Sequence, residues 1–228
     1  MNNPKILAEK VFNKALNILF PLQCAFCNTR GEALCVQCFS KIEEPMVPKE
    51  ENFFVSAGYH DPVIQEAIQK LKYEGYKPVA ELLAKLIYER IFKKELAFTL
   101  GEKDVMIIPI PIHKKRLRER GFNQAELIAY YLIKMIVFDN PVWEKKMTLE
   151  TKTLKKIKHT ESQVLTSGRT ERLQNLAGTM EAERNETLKN KDIILVDDVS
   201  TTGATIKEAV RALRVAGAKR IFAVVVAK

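Results

Sequence analysis

A chain of 228 residues with 46% apolar side chains can close one good-sized core and carry a small appended module. Its 37 Lys and Arg against 28 Asp and Glu leave a net charge of +9, and a pI near 9.3 points to an anionic partner such as nucleic acid, nucleotide or phospholipid. No apolar run reaches the about 20 residues of a membrane span, and the phosphate motif G-x-x-x-x-G-K-[ST] is absent, which disfavours an ATPase of that class.

Residues 1–20 carry an apolar stripe of Ile6, Leu7, Val11, Phe12, Leu16, Leu19 and Phe20, interrupted by Lys5, Glu9, Lys10 and Lys14. No small-residue cleavage site follows, so the stripe reads as an amphipathic helix packed on its own domain rather than a secretory signal. The alternative is peripheral docking of its lysine-bearing face on a membrane surface, so the expected location is cytoplasmic, with or without membrane association.

All four cysteines fall within residues 21–42, as Cys24-x2-Cys27 and Cys35-x2-Cys38. Two C-x-x-C turns can bring four thiolates to the corners of a tetrahedron, the arrangement of a structural Zn²⁺ site with no position left open for catalysis. Disulfides are the alternative, disfavoured where no secretory signal is read. A module this small has no core of its own, so the metal must hold it. Residues 43–52, charged and punctuated by Pro45 and Pro48, read as a linker, and residues 53–228 as the main domain.

In that domain, residues 53–59 read as the first strand. A helix opens at Pro62 with Val63, Ile64, Ala67, Ile68 and Leu71 at helical spacing, and Lys72-Tyr73-Glu74-Gly75 ends it. A second helix covers 78–96. Val105 to Ile108 is a buried strand that runs into Pro109-Ile110-Pro111-Ile112-His113. Lys114, Lys115, Arg116, Arg118 and Arg120 follow, before Gly121-Phe122-Asn123-Gln124 and a helix to about residue 137. Arg116 and Arg120 lie four apart, so one helical turn would point both at a single anion, with Pro111 and Ile112 fixing the path of the chain beside it. His113 reads as a packing or hydrogen-bonding residue, since nothing beside it suggests a relay. Residues 142–147 read as a strand, 152–160 as a mobile lysine-rich stretch, and 161–177 as a weakly amphipathic helical region.

The last unit is the most informative. Ile193-Ile194-Leu195-Val196 is a strand buried on both faces, and it ends in Asp197-Asp198-Val199-Ser200-Thr201-Thr202-Gly203-Ala204-Thr205, where a helix to residue 216 begins. The turn therefore sits at a strand's carboxyl end and a helix N-terminus, where free N–H groups favour a phosphate. The threonine hydroxyls add donors, Gly203 admits a close approach, and the two carboxylates can accept hydrogen bonds from ribose hydroxyls. The bland alternative is an Asp-capped strand-to-helix turn. A final strand spans 220–225. Strands alternating with helices predict an α/β fold with a parallel sheet and right-handed crossovers. Its strand ends share one crevice, which would bring the basic loop opposite the hydroxyl turn.

The run from Ile193 to Thr205 resembles the phosphoribosyl pyrophosphate (PRPP) loop of type I phosphoribosyltransferases. The resemblance widens with the cysteine quartet, Leu71-Lys72-Tyr73-Glu74-Gly75, Ile108-Pro109-Ile110-Pro111, Arg116-x3-Arg120-Gly121-Phe122-Asn123-Gln124, Thr160-x2-Gln163 and Arg172-x2-Asn175, whose order is similar to that of the ComF family nearly end to end. That resemblance implies a type I phosphoribosyltransferase fold behind a zinc finger, a PRPP site used with Mg²⁺, and a role in handling incoming single-stranded DNA during natural transformation. DNA contacts would come from Lys114, Lys115, Arg118, Lys155, Lys156 and Lys158, and a DNA helicase or other competence proteins are the implied protein partners. The chain departs from the family at Met180, where an aromatic is common, and at Lys155, Lys156 and Lys158, where arginine is frequent, which changes the phosphate contacts available there. Purine-salvage relatives carry an acid at the position of Thr201. Threonine cannot act as that base, which argues against 6-oxopurine salvage and leaves three readings: a phosphoribosyl and DNA binder, a transferase on another acceptor, or an adaptor built on the zinc module.

Overall fold

Runs of β-branched and aliphatic residues without polar alternation are stable only where both faces of a strand are covered, and such runs build the centre of this molecule. The computed structural model describes residues 21–46, 50–101, 103–158, 178–184 and 186–228. The helix expected over 1–20 and the helical region over 161–177, with Thr160, Gln163, Arg172 and Asn175, lie outside the described residues.

Five strands form a parallel sheet: β1 (Phe53–Ala57), β2 (Val105–Pro109), β3 (Met147–Leu149), β6 (Asp192–Val199) and β7 (Arg220–Ala227), in the order β1-β7-β6-β2-β3. Two short strands, β4 (Leu154–Lys156) and β5 (Met180–Ala182), pair antiparallel outside it. Every residue of β2 is buried, as are the first five of β6 and the last seven of β7. Side-chain alternation sends Ile194, Val196, Phe222 and Val224 into one core and Ile193, Leu195, Ala223 and Val225 into the other.

The first core is closed by four helices and a long continuation. After α1 (Val36–Phe39) comes α2 (Pro62–Tyr73), started by Asp61, whose carboxylate accepts from the N–H groups of Val63 and Ile64 with Pro62 in the first turn. Next, α3 (Val79–Ile87) runs on with π pitch over Tyr88–Leu96 and ends as α4 (Ala97–Leu100), four residues beyond the expected limit. The basic segment is itself helical, α5 (Lys114–Arg120), and Gly121 at φ 76° ends it. Asn123 then caps α6 (Gln124–Asp139). The short α7 (Thr187–Asn190) precedes β6, and α8 (Ala204–Val215) covers the second core with the β4–β5 pair.

Two expectations are corrected. Residues 142–147 are not a strand: Asn140 caps a 3₁₀ turn, Pro141–Glu144, that buries Trp143 edge-on against Phe92, and the strand starts only at Met147. The lysine-rich stretch expected to be mobile contains β4, held by its ladder to β5.

The cysteine segment packs into the large core, where Cys24, Ala25, Leu34, Cys38 and Ile42 are buried beside α2 and α3. Arg90, on the π-wound stretch, donates to the carbonyls of Glu43 (2.6 Å), Ser56 (2.9 Å) and Ile42. Tyr76 donates its hydroxyl to Gln23 O at 2.7 Å. These bonds strap the segment to the sheet.

Candidate functional site

The site forms where β6 and β2 end side by side. Pro109 stands opposite Val196, and Ile110 N–H donates to Val196 O at 2.9 Å, so both chains leave the sheet at one level. The same alternation that divides the cores divides the two acids. Asp198 continues the Ile194–Val196 face toward α2, and Asp197 continues the Ile193–Leu195 face toward β4.

Two lysines stand at the acids, Lys72 from the end of α2 and Lys156 from β4. Lys72 Nζ lies 3.0 Å from Asp198 Oδ1, and the Asp198 side chain is 9% exposed. Asp197 feels the charge of Lys72 and, more weakly, that of Lys156, and its Oδ1 accepts from Asp198 N–H at 2.9 Å. Burial, followed by the Asp198 charge, pushes the Asp197 carboxyl up to about 8, and the two lysines only partly offset this. Lys156 is pulled below the usual lysine range by burial and then by Arg116, against the opposing effect of Asp197. Lys156 and Arg116 therefore stand close to one another on the Asp197 side.

Past the acids, the chain turns through Ser200 to Gly203 into α8. Gly203 adopts φ 76°, and a Cβ there would meet no atom within 4 Å, so the turn offers its backbone to an open approach. Thr202 Oγ1 accepts from Ala204 N–H at 3.4 Å. Thr201 is exposed, Thr202 and Thr205 are half-buried, and Ala204 is buried beneath the turn. Val199 is half-buried, and Ser200 N–H donates to Ala227 O while its hydroxyl is buried with no hydrogen-bond partner among the described residues. The N-terminus of a twelve-residue helix and the adjacent hydroxyls form an arrangement that could receive an anion.

Opposite stands α5. His113 Nδ1 accepts from Lys115 N–H, so the histidine caps the helix, in line with a structural role. Arg116 and Arg120 are half-buried on one face, with Pro111 and Ile112 half-buried at its approach, while Lys114, Lys115 and Arg118 are exposed on the other. Asn123 donates to Ile110 O at 3.0 Å while capping α6, which fixes the proline segment against the helix that follows. Arg120 lies over the Tyr73 ring at 5.5 Å, and Lys77 over Phe122 at 5.0 Å. Of the β4 lysines, only Lys156 faces the site: Lys155 pairs with Glu183 on the opposite face, and Lys158 is exposed beyond the strand.

Three contributors are not evident from the sequence motif alone. Lys72 appears there as part of a helix ending, and its charge meets Asp198 only through the packing of α2. Lys156 acts at the acids, a placement its lysine-rich context conceals. Glu208, buried on α8, accepts from Met180 N–H at 3.1 Å and pairs with Arg211 at 2.8 Å, fixing β5 and through it β4.

A second cluster is separate from the crevice. The sulfur atoms of Cys24, Cys27, Cys35 and Cys38 all lie within 4.8 Å of one another, and Cys27 and Cys35 are 3.6 Å apart. Four thiolates on a tetrahedral ion would stand about 3.8 Å apart for metal–sulfur bonds near 2.3 Å, so this donor set fits a metal ion. The Thr29 hydroxyl, 3.1 Å from Cys27, holds that thiol down at about 6, while burial pushes Cys38 up. No described helix is long and apolar enough to cross a membrane.

The phosphoribosyl transferase domain family matches residues 73–228, which takes in both sides of the crevice except Lys72. Competence protein F of Haemophilus influenzae is 27% identical over 200 residues, covering 87% of this chain and 81% of that protein. Competence protein ComFC of Bacillus subtilis is 31% identical over 159 residues, covering 68% of this chain and 55% of its own length, so the match spans about half of that relative. DNA utilization protein YhgH of Escherichia coli (strain K12) is 25% identical over 199 residues, covering 87% of this chain and 79% of that protein.

Proposed function

As the chain belongs to the phosphoribosyl transferase family through residues 73–228, we propose that its crevice binds PRPP and that the protein serves DNA handling in natural competence. The carrying observation is the pair of adjacent acids at the end of β6, with Lys72 and Lys156 beside them, set between an open helix N-terminus and the paired arginines of α5. The cradle from Ser200 to Thr205 takes the 5-phosphate. Asp197 and Asp198 read the ribose hydroxyls, and Arg116 and Arg120 face the pyrophosphate. Mg²⁺ accompanying PRPP would offset charge on the pyrophosphate. The fit of four sulfurs supports zinc in the cysteine cluster, as a structural ion.

The competence role rests on the relatives named for competence and DNA utilization, and on the basic surface. Lys114, Lys115 and Arg118 lie on the exposed face of α5, with Lys155 and Lys158 exposed nearby in the β4 segment, so single-stranded DNA would meet them outside the sugar crevice. DNA lacks the 2′ hydroxyl and would use the two acids poorly, so the two ligands take separate surfaces. Titration calorimetry with PRPP and Mg²⁺ is expected to show binding that Asp198→Ala weakens at least tenfold, while single-stranded DNA binding persists in that variant and falls steeply with salt. Absence of heat with the parent protein would remove the sugar reading, and salt-insensitive DNA binding would remove the backbone-phosphate mode.

One observation favours a second reading, an active transferase on an acceptor yet to be identified. Burial and the Asp198 charge raise the Asp197 carboxyl to about 8, a range suited to proton transfer beside the ribose. Pyrophosphate release from PRPP on adding acceptors distinguishes turnover from binding.

A further inference from the structure

The ion pair between Lys72 and Asp198 sits where a ribose hydroxyl must bind. Asp198 is among the few buried charged residues, and Lys72, with its side chain 20% exposed, stands 3.0 Å from it. A sugar hydroxyl that takes Asp198 Oδ1 competes directly with the Lys72 ammonium. A half-buried ammonium drawn off its carboxylate is left less well compensated unless a second anion receives it. The next residue, Tyr73, lies under Arg120 at 5.5 Å, so the end of α2 that carries Lys72 stands beside α5. An anion held by Arg120 would therefore have the displaced lysine as a neighbour.

We propose that Lys72 is a specificity residue that shifts from Asp198 to a pyrophosphate on the sugar's C1, so that the site selects a 1-pyrophosphorylated pentose phosphate over ribose 5-phosphate. This rests on the phosphosugar reading of the crevice and deepens it. Ribose 5-phosphate fills the cradle and presents a diol, yet leaves the lysine without a new partner. PRPP supplies both the diol and the receiving anion. The lysine thus contributes to discrimination, and the cradle contributes to affinity for either sugar.

The test is calorimetry on the full-length, metal-bound protein with three probes: PRPP with Mg²⁺, ribose 5-phosphate, and inorganic pyrophosphate with Mg²⁺. Lys72→Gln keeps a hydrogen-bonding group for Asp198 without the charge, and Lys72→Arg keeps the charge in case the neutral variant folds poorly. The parent is expected to prefer PRPP over ribose 5-phosphate by more than tenfold. Lys72→Gln should lose most of that ratio by weakening PRPP and pyrophosphate while ribose 5-phosphate holds or tightens, and Lys72→Arg should retain more of the ratio than Lys72→Gln. Equal weakening of PRPP and ribose 5-phosphate in Lys72→Gln, or an unchanged ratio in both variants, would overturn the proposal while the phosphosugar reading stands. Failure of both sugars to bind the parent would overturn both.

Discussion

Burial, and after it the Asp198 charge, pushes the Asp197 carboxyl up to about 8, and Lys72 and Lys156 offset this only in part. The fold favours the neutral acid. Its unfolded counterpart ionises in the ordinary carboxylate range, so Asp197 contributes nothing adverse below about pH 4 and subtracts stability progressively as pH rises toward about 8. Asp197→Asn removes that liability while keeping the shape. Thermal melts should show the variant close to the parent at pH 3 and more stable by about 2 kcal/mol or more at pH 8.5, since each unit of displacement is worth about 1.4 kcal/mol before solvent screening. Equal melting temperatures at pH 8.5 would show that the parent carboxylate is already compensated. Saturating PRPP with Mg²⁺ should narrow the gap from the parent's side, because ribose hydroxyls reward the ionised form that the empty crevice penalises.

The β4–β5 pair is too short to stand alone and is held by one buried acid. Glu208 satisfies Met180 N–H and in turn is satisfied by Arg211, whose guanidinium also donates to Met180 O at 3.2 Å; Arg211, with the Met180 N–H, keeps the Glu208 carboxyl below the usual range. Glu208→Ala leaves a buried N–H and a guanidinium without their partner, an expected loss of about 2–4 kcal/mol. Amide exchange should accelerate first at residues 154–156 and 178–182, with β2, β6 and β7 still protected; uniform acceleration would mean that Glu208 supports the whole sheet rather than this pair. The same pair marks where sequence reading stops. The central strands and α2, α3, α6 and α8 are legible because long apolar runs and 3.6-residue periodicity report burial locally, and the Asp-Asp turn and Arg116–Arg120 spacing report the two sides of the crevice. Strand β4 is not legible, since its partner lies more than twenty residues on and its lysines resemble a solvated stretch. Residues 142–147 read as a strand in sequence, whereas the Asn140 cap and Pro141 make a 3₁₀ turn that takes in Trp143. Lys72 belongs to the site only because α2 ends against β6, a tertiary fact with no periodicity of its own.

At the scale of the molecule, the cysteine cluster and the sheet share one core, so metal should govern more than its own loop. Cys24, Cys38 and Ile42 are buried with α2 and α3. Ile42 and Glu43 are held by Arg90, and two residues along the same π-wound stretch Phe92 meets Trp143 edge-on at 5.8 Å. From the other side, Tyr76 bonds the backbone of Gln23, one residue before Cys24, and lies four residues beyond Lys72. Stripping the ion would leave four crowded thiols with no common partner and release both straps, because metal-binding free energy in a module of this size is folding free energy. Trp143, the single tryptophan, is a built-in reporter at the far end of that path. Chelation of the full-length protein should lower its melting temperature by on the order of 10 °C in one cooperative transition. Near-ultraviolet circular dichroism of Trp143 should change with the metal content measured on the same samples, and PRPP affinity should fall alongside it through the Tyr76 strap. A metal-free protein with an unaltered tryptophan signal and unchanged melting would show instead that the cysteine module is anchored by packing alone, with the ion confined to its own turn.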